Sequence, residues 1–245
     1  MKLAQVWKSF GGTPVLRGLD LEVQKGDLLV ILGPSGCGKT TTLRIIAGLE
    51  QPDRGAIRFN GQEVTLLPAE NRRIGYVFQS IALFPHLSVE KNISFGLEAQ
   101  NFPPNQIRER TQELIELVGL QRLDKRYPRE LSGGQQQRVA IARALAPFPQ
   151  ILLFDEPLAN LDATLKQNLK HEIRRIQKET RVTTVYVTHD QVEAFTIGDY
   201  IAVMNDGRIE QVGPPMTIYK QPATVFVEHF VKKSIDQYRE FINAV

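Results

Sequence analysis

The sequence predicts an α/β fold whose core of buried strands is interrupted by a helical segment. Short apolar runs such as 28–32 and 151–154 have the length of buried strands bounded by polar or glycine-rich residues. Between about 80 and 146 the apolar residues recur at helical spacing, with charged residues on the opposite face. The 245 residues suffice for one α/β domain that carries an inserted helical subdomain.

The composition is that of an ordinary globular protein, with 42% hydrophobic and 23% charged residues. The net charge of +3 is too small to indicate nucleic acid as a partner, and no lysine- or arginine-rich run supports one. We expect neither a signal peptide nor a membrane span, because no apolar run has the required length. The single cysteine, Cys37, cannot form an internal disulfide, which fits a reducing cytosol.

The first part of the chain is expected to form an antiparallel β subdomain. Residues 3–10 and 15–23 alternate between apolar and polar positions, and Gly11 and Gly12 supply a turn between them. Phe10 lies directly before this turn, where we expect it to be only partly covered. Further short strands are expected at 28–32, 55–59 and 73–78.

A glycine-rich loop follows the apolar strand 28–32 and precedes a helix-like segment that Gly48 ends. Strand, glycine loop and helix are the context that a phosphate-binding loop requires. Glycine lets backbone N–H groups turn towards a phosphate, and the positive end of the next helix faces the same anion. Lys39 can reach the β- and γ-phosphates, and the Thr40 hydroxyl can bind Mg²⁺. The residues expected to bind nucleotide here are Gly33, Pro34, Ser35, Gly36, Cys37, Gly38, Lys39, Thr40 and Thr41.

Cys37 lies in this loop close to a helix N-terminus, where the local field favours a thiolate. We therefore predict that alkylation of Cys37 inactivates the protein and that ATP protects it.

After the helical segment the α/β pattern returns. We expect Asp190 and Glu193 to form a capping box at the start of one helix, because they have the required spacing. Strands are expected at 151–154, 184–187, 200–204 and 208–212, and helices at 163–179 and at about 224–243.

Two carboxylates and an amide stand at the ends of predicted strands. Asp155 closes the apolar strand 151–154, where a carboxylate can hold Mg²⁺, and the adjacent Glu156 can accept a proton from attacking water. Gln79 ends another predicted strand, and strand ends at the carboxyl edge of α/β sheets carry ligand contacts. An apolar run followed by Asp-Glu is a weak signal alone, and the glycine loop in the same chain strengthens it.

Six motifs in order resemble those of the ATP-binding-cassette (ABC) ATPases. They are the phosphate loop, Gln79, the signature from Leu131 to Gln135, the strand ending in Asp155 and Glu156, the D-loop from Ala159 to Asp162, and the switch residue His189. The resemblance covers essentially the whole chain and implies a RecA-like P-loop NTPase core. Phe10 stands where the family has an aromatic residue that stacks on adenine.

The resemblance implies an ATPase in which two subunits pack head to tail around two ATP molecules. Glu156, His189 and Gln79 would be catalytic, and Thr40, Gln79 and Asp155 would hold Mg²⁺. Residues implied to complete the nucleotide site, some from the partner copy, are Ser132, Gly133, Gly134, Gln135 and Asp162. An N-cap role alone would explain Ser132 but, from the sequence, not the double glycine and the glutamine.

Stretches such as Ala82–Val89 and Asp155–Asp162 are similar to those of importer subunits for maltose, polyamines, iron or sulfate. This resemblance implies an integral-membrane permease that docks on Ser80–Leu97, an indirect link to a solute-binding protein, and a place on the inner face of the membrane. The four apolar residues of this stretch, Ile81, Leu83, Phe84 and Leu87, could equally be core. Many relatives continue into a β-rich regulatory domain, which we do not expect here because the chain ends at Val245.

Two other classes of function are alternatives to the import ATPase. A soluble ABC ATPase would act on a scaffold outside the membrane, as in iron–sulfur assembly. A nucleic-acid machine would carry a coiled coil, a zinc module or a second cassette, and the sequence contains none of these. The expected division is a core at about 1–79 and 147–213, a helical subdomain at about 80–146 and a short C-terminal helical tail at about 214–245.

Overall fold

The computed structural model describes residues 1–159, 161–232 and 235. The chain divides into two compact units, Met1–Arg72 with Thr183–Val245, and Arg73–Val182. The second unit holds strands as well as helices, so it is larger than the helical subdomain expected at 80–146. The sequence-based division remains a prediction.

The first unit begins with an antiparallel sheet. Strand β1 (Lys2–Phe10) pairs with β2 (Thr13–Glu22), which confirms the expected hairpin. Gly11 and Gly12 form its turn with φ of 55° and 82°, a left-handed conformation that glycine adopts without strain. The sheet has the order β2-β1-β4-β5, with β4 at Arg54–Phe59 and β5 at Gln62–Glu63.

A second set of strands in this unit has the order β10-β9-β3-β8. β3 (Leu28–Leu32) is buried along its whole length and pairs in parallel with both β8 and β9, as its continuous apolar run predicts. Leu32 pairs with Thr188, so the loops that follow β3 and β8 leave the sheet at the same edge. The other strands are β8 (Thr183–Thr188), β9 (Tyr200–Asn205) and β10 (Arg208–Gly213).

The helices of the first unit include one that the sequence analysis missed. Helix α7 (Pro215–Lys220) lies in the proline-containing first part of the tail, where we expected no separate helix before the one at about 224–243. Proline is favourable in the first helical turn, where its missing N–H would have no partner, so Pro215 is a helix start. The other helices named here are α1 (Lys39–Ala47) and α6 (Gln191–Ile197).

The expected capping box of α6 is half wrong. The Asp190 carboxylate does cap the helix by accepting a hydrogen bond from the Glu193 N–H, at 3.0 Å. The Glu193 side chain does not return the bond, because it is buried against the hydroxyls of Tyr186 and Thr188. The Asp190 N–H instead donates to the Thr188 hydroxyl at 3.0 Å.

In the second unit, β6 (Ile74–Val77) pairs in parallel with β7 (Ile151–Asp155). Helix α4 (Gly133–Leu145) lies close to β6, since a Cβ on Gly75 would come within 2.4 Å of the Ala144 carbonyl oxygen. The expected helical region between the two strands is confirmed. The helices of this unit are α2 (Val89–Ala99), α3 (Pro104–Leu117), α4 (Gly133–Leu145) and α5 (Ala163–Thr180).

No helix within the described ranges is long and apolar enough to cross a bilayer. The tail is helical over 225–232. Half of the helix expected at about 224–243 lies outside the described residues.

Candidate functional site

The glycine loop is packed so closely that side chains could not replace two of its glycines. A Cβ on Gly33 would lie 2.2 Å from the Met204 carbonyl oxygen. Gly38 has a φ of 107°, and a Cβ there would lie 2.8 Å from a methyl carbon of Leu16. Both residues must therefore be glycine for the loop to keep this path. Ser35 and Gly36, at the tip of the loop, remain exposed.

Lys39 is buried beneath this loop at the start of α1. Its Nζ donates to the carbonyl oxygens of Gly33 and Pro34, both at 2.9 Å. Gly38, the N-cap residue, has no side chain to cap the helix, so the first amides of α1 face the loop. An ammonium group and a helix N-terminus at one place form a cradle for an anion. Thr40 and Thr41 follow in the first turn and are half-buried.

Cys37 is only 6% exposed, and its carbonyl accepts a hydrogen bond from the Gly207 N–H at 3.1 Å. Because the thiol is buried, we expect iodoacetamide to modify it at least about tenfold more slowly than free cysteine, and ATP to slow the reaction further. Intact-mass spectrometry measures this rate directly, since Cys37 is the only cysteine. A Cys37→Ser variant should gain no adduct. Modification at the rate of free cysteine, or modification without loss of ATP turnover, would contradict the prediction.

Phe10 ends β1 and is 47% exposed, which agrees with the expected partial cover. The Lys8 Nζ lies 5.1 Å from the centre of its ring. Glu50 pairs with the same Nζ at 2.7 Å, and this hydrogen bond raises the pKa of Lys8. The exposed ring of Phe10 therefore lies beside the Lys8 ammonium group, which Glu50 holds in place.

His189 is exposed and directly follows β8. Gly33 directly follows β3, and the last residues of these two strands, Leu32 and Thr188, are paired. The sheet thus brings His189 and the start of the glycine loop to the same edge, as the sequence pattern predicts for ligand contacts in α/β sheets.

The second unit holds the acidic candidates at a comparable edge. Val77 pairs with Phe154, so Gln79 and Asp155 emerge from neighbouring parallel strands. Asp155 is 7% exposed, and its carboxylate accepts a hydrogen bond from the Tyr76 hydroxyl at 2.9 Å. Gln79 is exposed. The carboxylate is therefore oriented before any ligand binds.

Glu156 has a φ of 42°, in the left-handed region that residues other than glycine rarely adopt. This conformation costs of the order of 1 kcal/mol and is found at sites where a side chain must point in one direction. The Glu156 carbonyl accepts a hydrogen bond from the Ala159 N–H at 3.1 Å, which holds the turn. The half-buried Glu156 thus lies on a strained turn that a backbone hydrogen bond closes.

Comparison with known proteins identifies this combination of loop, strands and signature. A family model described as ABC transporter matches residues 16–159, more than half of the chain. The chain belongs to the ABC transporter family. This confirms the expected family and the α/β P-loop fold.

Two curated relatives illustrate the range of the family matches. The trehalose/maltose import ATP-binding protein MalK of Thermococcus litoralis is 50% identical over 94% of this chain and 64% of its own length. The sulfate/thiosulfate import ATP-binding protein CysA of Synechococcus elongatus is 52% identical, with 94% and 67% covered. The chain therefore spans about two thirds of the length of these relatives.

A solved ATP-binding cassette is also similar in structure. It is a dimer in a post-hydrolysis state, bound to ADP and Pi. The TM-score is 0.74 at 34% sequence identity, and the match covers 87% of this chain and 98% of that one.

The ABC signature is explained locally more fully than the sequence suggested. Ser132 and Gln135 form a reciprocal capping box, with N···O distances of 3.3 and 2.9 Å, so helix capping accounts for the glutamine as well as the serine. A Cβ on Gly134 would lie 2.6 Å from a methyl carbon of Leu165, so packing accounts for that glycine. Gly133 is the exception, since a Cβ there would meet Leu161 at 3.4 Å. The anion-binding role of the signature is therefore a proposal that local structure does not require.

The D-loop of this ABC cassette leads into α5. Asp162 is the N-cap of that helix, and its carboxylate accepts the Leu165 N–H at 3.0 Å. Asn160, which the sequence analysis placed in the D-loop, lies outside the described residues.

Asn92 is a fully buried residue that the sequence analysis missed. Its amide nitrogen donates to the carbonyl oxygens of Phe84, Leu87 and Ser88 at 2.9 to 3.1 Å, and its oxygen accepts the Phe84 N–H at 2.9 Å. A single side chain thus fixes the loop before α2. The four apolar residues expected to be either docking surface or core are half-buried: Ile81, Leu83, Phe84 and Leu87.

Within the described residues no three His, Cys, Asp or Glu side chains are grouped to hold a metal ion. Mg²⁺ is commonly bound by one or two protein oxygens together with phosphates and water, so the oxygen donors of Thr40 and Asp155 are of the right kind.

Proposed function

We propose that this chain is the ATP-hydrolysing subunit of an ABC importer. The observation that carries the proposal is the glycine loop, in which Gly33 and Gly38 leave no room for a side chain and Lys39 is buried at an uncapped helix start. The curated relatives named above are import ATP-binding proteins, which supports import over work on a soluble scaffold. The solute is left open, because those relatives import different ones.

In the proposed reaction the first unit binds the nucleotide. Phe10 stacks on adenine, and the Lys39 ammonium exchanges its loop carbonyls for β- and γ-phosphate oxygens. Backbone amides at the start of α1 neutralise further phosphate charge. Thr40, Gln79 and Asp155 would hold Mg²⁺, which would neutralise charge on the phosphates.

Hydrolysis requires a water molecule to attack the γ-phosphorus and to lose a proton, while the bond from that phosphorus to the bridging oxygen breaks and ADP leaves with the electron pair. We assign the proton to the Glu156 carboxylate, whose direction the left-handed turn fixes. His189 would contact the γ-phosphate and orient the water from the edge of the sheet where the glycine loop begins. Gln79 would contact the water or the metal. It would thereby connect the nucleotide site to the helical region that follows it in the chain.

A second copy, or a related ATPase subunit, would complete the site. The signature residues Ser132, Gly133, Gly134 and Gln135 of one copy would cover the phosphate loop of the other, with Asp162 nearby. Support comes from Gly133, which neither helix capping nor a close contact explains. The similar cassette bound to ADP and Pi is itself a dimer, which supports the participation of a second copy.

The partner in the membrane would be a permease that docks on Ser80–Leu97. The ATPase would then lie on the inner face of the membrane, and a solute-binding protein would act through the permease. Asn92 supports this proposal, because it holds the loop from Phe84 to Ser88 in one shape. Phe95 lies next to that loop with its ring 4.5 Å from that of Phe84 and is 44% exposed. An ordered loop beside an exposed aromatic residue is suited to binding a helix end.

Co-purification from gently solubilised membranes tests the import function. We expect a multi-span membrane protein to be retained, and Asn92→Ala to reduce its recovery at least about fivefold because the loop loses its internal hydrogen bonds. Gln112→Ala, on an exposed face of α3, is the matched control. Recovery of a soluble scaffold in place of a membrane protein would contradict import.

A further inference from the structure

Glu193 is a buried carboxylate that the proposed reaction does not use. One of its oxygens, Oε2, accepts hydrogen bonds from the Tyr186 hydroxyl at 3.1 Å and from the Thr188 hydroxyl at 2.8 Å. Burying a carboxylate is unfavourable unless its hydrogen bonds are satisfied. A buried carboxylate one turn into α6, bonded to the end of β8, therefore points to a specific role at this position.

The Thr188 hydroxyl connects this carboxylate to the backbone beside His189. The hydroxyl donates its proton to Glu193 and at the same time accepts the Asp190 N–H at 3.0 Å. A hydroxyl can donate once and accept in the same geometry, so both bonds coexist. Thr188, which precedes His189, is thus hydrogen-bonded to the backbone of Asp190, which follows it.

The Asp190 side chain closes the arrangement. Its Oδ1 accepts the Glu193 N–H at 3.0 Å, so α6 begins in a fixed position relative to the end of β8. Thr188 also pairs with Leu32 in the sheet, which fixes its distance from the start of the glycine loop. His189 itself remains exposed between two held neighbours.

We propose that Thr188 and Glu193 are positioning residues for His189. They fix the backbone on both sides of His189, so the imidazole is already positioned for contact with the γ-phosphate when ATP binds. This inference rests on the proposed function, in which His189 orients the attacking water. It adds two residues that act through His189 and have no contact with nucleotide themselves. Misplacing a catalytic group by about 1 Å can cost about a hundredfold in rate.

The test compares Thr188→Val with Thr188→Ser in the full chain. Valine keeps the shape and loses both hydrogen bonds, and we expect kcat for ATP hydrolysis to fall about tenfold or more while KM for ATP changes less than about twofold. Serine keeps the hydroxyl and should restore kcat to within about threefold of the parent.

Thr183→Val is the matched control, since Thr183 lies at the other end of β8 and its hydroxyl accepts the Gly26 N–H at 3.0 Å. It loses a comparable bond far from His189 and should leave kcat unchanged.

Glu193→Met provides a second, independent variant, because methionine fills the space without accepting hydrogen bonds. It should lower kcat as Thr188→Val does, while Glu193→Gln, whose amide oxygen still accepts both hydroxyls, should lower it less.

The positioning role is overturned if Thr188→Val hydrolyses ATP at the parental rate while His189→Ala is inactive, and that result leaves the proposed function intact. It is also overturned if Thr183→Val lowers kcat as much as Thr188→Val does. Parental turnover by His189→Ala would instead remove His189 from the proposed reaction, and the positioning role with it.

Discussion

Glu156→Gln is expected to bind ATP with nearly parental affinity and to lose at least about a hundredfold in turnover. The substitution keeps the size of the side chain and replaces the carboxylate, which can accept a proton from water, with an amide, which cannot. General-base catalysis contributes about 10²- to 10⁴-fold, so its loss should dominate every other effect of the change. The backbone is compatible with this assignment, because Glu156 has a left-handed φ of 42°, a conformation that is also found at active sites.

Two measurements check this expectation. Steady-state phosphate release gives the turnover, and size-exclusion chromatography with ATP should show the variant accumulating as an ATP-bound dimer. Glu116→Gln, on an exposed face of α3, makes the same chemical change away from the site and should behave like the parent. A Glu156→Gln protein that hydrolyses ATP at the parental rate could not use Glu156 as its base.

The phosphate loop was predictable from sequence because its chemistry is local. Gly33 and Gly38 are required by close backbone contacts, Lys39 lies one position further on, and α1 follows immediately. The residues of the loop are contiguous in the sequence, and a strand–loop–helix pattern is a strong signal. The contacts that require the two glycines, with Leu16 and Met204, could not be predicted from the sequence. The pairing of Leu32 with Thr188, which places His189 at the same edge, followed from the rule for strand ends.

Local structure explains two residues of the signature whose anion-binding role remains a prediction. Its glutamine appeared to need an anion, yet Gln135 completes a capping box with Ser132. Gly134 appeared to need a phosphate, yet it is in close contact with Leu165 from α5. Neither contact could be read from the sequence, because Leu165 is distant along the chain and glutamine side chains have many partners available.

Asn92 and Arg72 were missed for a related reason. Both are polar residues in ordinary polar stretches, and their importance arises from backbone carbonyls that tertiary folding brings to them. In Asn92 those carbonyls belong to the preceding loop, and an asparagine shortly after a proline-containing loop is at most a weak signal. Arg72 gave no signal, because its partners include two residues of a helix 26 and 27 positions earlier.

Arg72 is 1% exposed, and its guanidinium lies at the carboxyl end of α1. Its nitrogens donate to the carbonyl oxygens of Ile45, Ile46, Thr65 and Leu67 at 2.7 to 2.9 Å. Burial lowers the pKa of Arg72, because the guanidinium is removed from water. The carbonyls at a helix C-terminus are where a cation is best placed, since they carry the negative end of the helix dipole.

Arg72→Met is expected to lower the free energy of unfolding by about 3–5 kcal/mol, because four backbone carbonyls lose a charged donor and each buried polar group left unsatisfied costs about 1–3 kcal/mol. Methionine fills part of the space but donates no hydrogen bond to the carbonyls of α1 or of the loop before Arg72. Arg72→Lys should recover part of the loss, because an ammonium group keeps the charge but cannot reach carbonyls on so many sides. Urea unfolding measures the effect, and Arg73→Met, at the exposed neighbouring position, is the control.

The same variant should weaken ATP binding even where it remains folded. The N-terminus of α1 lies at the phosphate loop, and the carbonyls at its C-terminus accept hydrogen bonds from Arg72. The bound phosphates would stabilise the positive end of the helix dipole, and Arg72 stabilises the negative end. Without Arg72 the last turn of α1 should fray, and the amides that face the phosphates lose the rigid helix behind them. We expect the Kd for ATP, measured well below the melting temperature, to rise at least about threefold in Arg72→Met and to remain unchanged in Arg73→Met. An unaltered Kd together with the loss of stability would show that Arg72 stabilises the fold without contributing to the nucleotide site.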